Sequence, residues 1–137
     1  YAGPRTTGDG MKKVAALALL ALAGCDSGQR FDLVCDVTAY QKIQVGSLPV
    51  RQDTGKLNER FSVDLKGNRY CLQSEPGQAC SEDMFGPITE ASTSTLKLGR
   101  FTTVDRTSGT VMTDWGGVGS SGTCAKAAFT PPMRTQF

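Results

Sequence analysis

The sequence predicts an all-β protein, a small antiparallel meander forming a barrel or sandwich, preceded by a short N-terminal signal helix. Three observations predict it. Apolar and polar residues alternate along several short runs, the period-2 signature of half-buried strands. Gly, Asn, Asp, Ser and Pro clusters separate those runs at the spacing of turns, roughly 8–12 residues. The one continuous apolar run, Val14 to Ala23, lies outside this pattern and directly follows Lys12 and Lys13.

The strands follow in order. Phe31, Leu33, Cys35 and Val37 share one face, with Asp32, Val34 and Asp36 on the other, and the strand is expected to run toward Val45 before Gly46 and Pro49 interrupt it. Residues 46–58 read as a polar loop. Phe61, Val63 and Leu65 alternate with Ser62, Asp64 and Lys66; Gly67-Asn68 then signals a tight hairpin into Arg69 to Gln73. Residues 74–87 are turn-rich, with room for a short helix. Strands are then expected over 88–91, 95–98, 101–105, 110–115 and 123–129, with Gly116 to Gly122 as a Gly-rich loop. That makes seven or so strands in a β domain spanning 31–130. Pro131 and Pro132 cannot donate to a ladder, so 131–137 reads as a loose tail.

The N-terminal side carries an address. Lys12-Lys13, ten apolar residues and a small-residue end make the three parts of a secretory signal over residues 11–24. Ten helical residues span about 15 Å, half of what a bilayer core requires. Residues 1–10 precede Met11 and are expected to be upstream or non-native sequence. The run closes on Leu22-Ala23-Gly24-Cys25, which resembles the lipobox of bacterial prolipoproteins. The resemblance implies cleavage between Gly24 and Cys25, lipid on the Cys25 sulfur, and usually a further acyl chain on the new amino group. More than one chain is what stable anchoring takes. Ala21-Leu22-Ala23 is also an ordinary A-x-A cleavage site, but a soluble product would leave one of five cysteines unpaired. Residues 25–30 would serve as lipidated end and tether, reaching about 17 Å when extended. The expected location is the bacterial cell envelope, facing the periplasm; Asp26 tilts the choice of membrane to the inner one.

Past the anchor, Cys35, Cys71, Cys80 and Cys124 allow three pairings. Cys71–Cys80 closes a short loop after the hairpin. Cys35–Cys124 joins first and last strands, neighbours if the meander closes. Chain entropy assigns the two about 3 and about 4.5 kcal/mol. A metal or redox site is disfavoured, since there is no C-x-x-C and no His in the chain. No metal and no cofactor are expected.

Charge narrows the partners. The chain has 15 basic and 13 acidic residues; without Arg5, Lys12, Lys13 and Asp9 the processed form has 12 of each. No basic run interleaves with aromatics, so nucleic acid is not an expected partner.

Catalysis finds little support. The usual Ser–His and Cys–His pairs are ruled out by the lack of His. Ser94-Thr95-Leu96-Lys97 matches S-x-x-K, but in a strand positions i and i+3 point to opposite faces. Glu82-Asp83 reads as a solvated turn. The Gly116 to Gly119 run does not lead from a strand into a helix, as a nucleotide fingerprint does. Trp115, beside that Gly run, reads first as a plug for one end of the barrel and second as a binding anchor. Tyr40 and Tyr70 read as sheet-face residues.

The expected function is therefore a membrane-anchored, non-catalytic binding or envelope-structural module, with an envelope protein as candidate partner. The region after Cys25 resembles small uncharacterised envelope β proteins with a strand–Cys–strand layout. Two alternatives are a carrier of a small ligand and an inhibitor of an envelope-attacking hydrolase. Membrane-bound lysozyme inhibitors are lipoproteins of this size whose first and last strands can be disulfide-linked, though their Ser-Gly inhibitory loop has no clear counterpart here beyond Ser121-Gly122.

Overall fold

The structure, a computed structural model, describes residues 28–134; the expected signal segment over 11–24, Cys25 and residues 135–137 lie outside them. Eight antiparallel strands follow one another around a closed ring: β1 (Arg30–Val45), β2 (Leu48–Asp64), β3 (Arg69–Leu72), β4 (Gly86–Ala91), β5 (Thr95–Leu98), β6 (Thr102–Asp105), β7 (Thr110–Asp114) and β8 (Val118–Ala127). The all-β meander is as the alternation predicts. One 3-10 turn, Glu82–Met84, occupies the stretch where a short helix was allowed.

The ring closes because β1 pairs with both β2 and β8. Cys35 and Cys124 are direct cross-strand partners at this seam and form a disulfide, with Cα atoms 4.0 Å apart. Cys71–Cys80 forms the second bond. Both pairings are those the meander favours. Inside the ring, Phe31, Leu33, Val37, Phe61, Val63 and Ile88 pack with Leu96, Leu98, Val104 and Val111. These are the odd-numbered residues of the first two strands and the matching phase of the later ones, as a pleated sheet with one buried face requires.

Three expectations need correction. Residues 46–58 are not a loop: β2 begins at Leu48 and pairs with β1 back to a two-residue turn at Gly46-Ser47. Pro and charged residues hide the strand from pattern reading, but the facing β1 supplies its ladder. Gly116 to Gly122 is not one loop either. Only residues 115–117 turn, and Gly119 and Gly122 belong to β8. They are glycines because neighbouring backbone and a tyrosine occupy the space: a Cβ at Gly122 would lie 2.7 Å from the Val37 Cα, and one at Gly119 would lie 2.7 Å from the Tyr40 hydroxyl. Finally, the tail is pinned as far as Met133, whose N–H donates to the Cys80 carbonyl at 2.7 Å.

The tail is held through a polar layer on the outer face of β1–β3. Asp32 is fully buried there. Its carboxylate accepts from Arg60 Nε at 2.6 Å, Gln73 Nε2 at 3.1 Å, and the Thr130 N–H at 3.0 Å and hydroxyl at 2.5 Å. Gln73 also donates to the Ser62 hydroxyl. A buried charge is tolerated only when its lone pairs are matched in this way. Nearby, Asp64 takes Arg30, Arg69 and the Gly67 N–H.

A candidate binding mouth

The meander sorts the connections between two ends of the ring. The chain comes in at one end, at Arg30, together with the β2–β3, β4–β5 and β6–β7 turns. The β1–β2 turn, the end of β3, the β5–β6 turn and the β7–β8 turn gather at the other. That second end is open, with a cavity of about 140 Å³ bordered by Glu59, Tyr70, Arg100, Phe101 and Trp115, and floored by Phe61 and Leu98.

Each wall follows from its strand. Glu59 pairs opposite Cys35, two residues before Phe61, so it keeps the inward phase of β2. It is half-buried. Burial pushes its carboxyl above the ordinary glutamate value, against the Ser120 hydroxyl, which pulls it down. Among the described residues no Lys or Arg forms an ion pair with it. Tyr70 enters from β3, its ring 6.5 Å from that of Phe61, and burial raises its phenol. Gly99, at a left-handed φ of 71°, passes close to the Tyr70 hydroxyl; a Cβ there would lie 2.5 Å from it.

The lip is aromatic. Trp115 sits in the β7–β8 turn, fixed by its N–H to the Val118 carbonyl at 2.9 Å and by Asp114 Oδ1 accepting from the Gly116 N–H at 2.8 Å. Trp115 is 55 % exposed as a residue, and Phe101 across the β5–β6 turn is 48 % exposed. Trp115 is therefore on the rim, and the plug reading is corrected: Leu96, Leu98 and Val63 already fill the interior. The Arg100 guanidinium lies 5.7 Å from the Phe101 ring centre and is exposed. Behind the lip, the Thr102 and Thr113 hydroxyls share a hydrogen bond of 2.9 Å.

Other residues singled out in the sequence fall elsewhere. Ser94 lies in the β4–β5 turn, at the far end from the mouth, and Lys97 on the exposed outer face of β5. Glu82 pairs with Arg69 at 2.6 Å, and Asp83 accepts from the Ser81 hydroxyl. Tyr40 is buried on the sheet, stacked under Arg51 at 4.2 Å. Of the mouth, only Trp115 was marked as a binding residue from sequence. Glu59 was missed, though carrying the Phe61–Val63–Leu65 alternation back one step places it inside.

No protein family, curated protein or solved structure matches the chain.

Proposed function

We propose that this chain is a lipid-anchored, non-catalytic binding module of the bacterial envelope, a small barrel that presents its open mouth to a partner. The observation that carries the reading is the pair Trp115 and Phe101, both about half exposed, flanking a cavity that holds a half-buried carboxylate. Large aromatic side chains at the rim of a concave site are the usual anchors of recognition. The signal segment and Cys25 supply the address. A short tether from Cys25 to Arg30 would hold the opposite end of the ring against the bilayer, so the mouth would face the periplasm.

A ligand carrier is less favoured, since the cavity at the mouth, about 140 Å³, and the one at the other end of the ring beside Phe31, Leu33, Leu96 and Val104, about 290 Å³, are both smaller than a typical small-molecule site. The inhibitor alternative shares the seam disulfide and remains a distinct reading of the same mouth.

Two experiments test the proposal. Intact mass of the protein purified from bacterial membranes is expected to show an acylated N-terminus at Cys25; a free amino terminus at residue 24 or 25 without lipid, or a retained leader, overturns the anchor. A lysozyme inhibition assay separates the alternative: inhibition that Trp115→Ala abolishes makes the partner a hydrolase.

A further inference from the structure

The charges of the mouth are sorted by depth. Glu59 is inside, level with Cys35 on the inner face. Arg100 is on the lip, exposed, and the two do not form an ion pair. Trp115, Phe101 and Tyr70 line the same cavity. A ring face carries negative charge density and attracts cations, and several rings around one carboxylate form a cage that favours an ammonium group over a neutral or anionic one. The cavity of about 140 Å³ holds roughly five water volumes. That is room for the end of an aminoalkyl chain and little more.

We propose that the mouth receives the terminal ammonium of an aminoalkyl chain, such as a lysine side chain, with Glu59 as its counter-ion and Trp115 and Phe101 as its walls. This rests on the mouth being the binding site. Arg100 stands on the lip where the rest of the ligand leaves, so it repels a second positive charge and can donate to a carboxylate or carbonyl of the ligand's backbone. Burial disfavours the Glu59 anion and the Ser120 hydroxyl offsets this only in part, so an arriving ammonium supplies the opposite charge that no ion pair among the described residues provides.

Trp115 is the single tryptophan of the chain, so its emission reports on the mouth. The folded β domain, disulfides intact, is titrated with n-butylamine, n-butanol and sodium butanoate at neutral pH, using free N-acetyltryptophanamide as reference. The amine is expected to saturate at least tenfold tighter than the alcohol, with butanoate weakest, and Glu59→Gln is expected to bring amine and alcohol to within twofold. The ranking in the unsubstituted protein stands as a test even if Glu59→Gln does not fold. Equal binding of amine and alcohol, or tighter binding of butanoate, overturns the ammonium assignment while leaving the mouth as a site. No change in Trp115 emission with any probe overturns both.

Discussion

The β1–β2 pair is two structures in one. Its lower half, from Arg30–Asp64 up to Cys35–Glu59, is covered on both faces: the apolar core inside, the Asp32 layer and the C-terminal tail outside. Its upper half loses this cover: Val37 and Tyr40 are its last buried residues, and from Gln41 onward neither layer is present. β8 leaves β1 at Gln41 and β3 reaches β2 only from Phe61, so residues 42–51 form a two-stranded arm beyond the last three-stranded stretch. The cross-strand pairs Ile43–Val50 and Val45–Leu48 put four apolar side chains on one face of the arm, with Leu48 68 % exposed. The ladder is continuous across both halves. What differs is the number of neighbours, and it is the neighbours that supply stability, because a lone two-stranded ribbon is marginal in water.

The comparison can be broken most severely at the seam. Replacing Cys35 and Cys124 together by Ala is expected to cost about 4.5 kcal/mol, the loop entropy of an 89-residue separation. Thermal melts should show a large drop in Tm, and a loss below about 1 kcal/mol would mean the seam is held by its ladder alone. Asp32→Ala attacks the outer layer. It leaves Arg60 without its carboxylate and removes the anchor of Thr130, and should cost about 3 kcal/mol, the lower end for a broken buried pair because Arg60 is partly exposed. Limited proteolysis near residues 128–134 should accelerate alongside.

A smaller effect follows from Asp64. Burial raises its carboxyl, but the Gly67 N–H, Arg69 and Arg30 together outweigh this and hold it below 3.8. A carboxylate held lower in the folded state than in the unfolded one adds stability that is present in full above the unfolded value and lost as pH falls through the folded one. Asp64→Asn should therefore cost about 1 kcal/mol at pH 7 and progressively less as the pH is lowered below the ordinary aspartate range, read from urea midpoints along that series. A cost that does not shrink on acidification would show that the turn, not the charge, is what Asp64 supports. Least of all, replacing Ile43–Val50 with an Asn-Gly turn, which keeps the Lys42–Arg51 pair and the Arg51 contact with Tyr40, should change stability by no more than about 0.5 kcal/mol. If the shortened protein melts well below the parent, the arm is braced by contacts that the strand pairing does not account for.

The same division explains what could be read from the chain. Where a strand has one face in the core, its composition alternates: Phe31 to Val37 and Phe61 to Leu65 announce themselves. Leu48 to Asn58 is exposed throughout, in the arm and just below it, so it carries no alternation and resembles a loop. Gly119 and Gly122 misled for a related reason, since their absent side chains answer crowding across the sheet rather than a turn. The disulfide pairing was legible because closure of a meander leaves few choices. The mouth was legible only in Trp115. Glu59 and Phe101 meet through three-dimensional closure, and nothing in their local sequence marks them as neighbours.

The seam also determines how the molecule carries load. A pull on the N-terminal side reaches β1 first, and β1 lies between two partners. Only the five residues Arg30–Val34 can peel away before the force meets the sulfur bridge at Cys35. From there tension passes into β8, and the ring resists as a hoop instead of unzipping strand by strand.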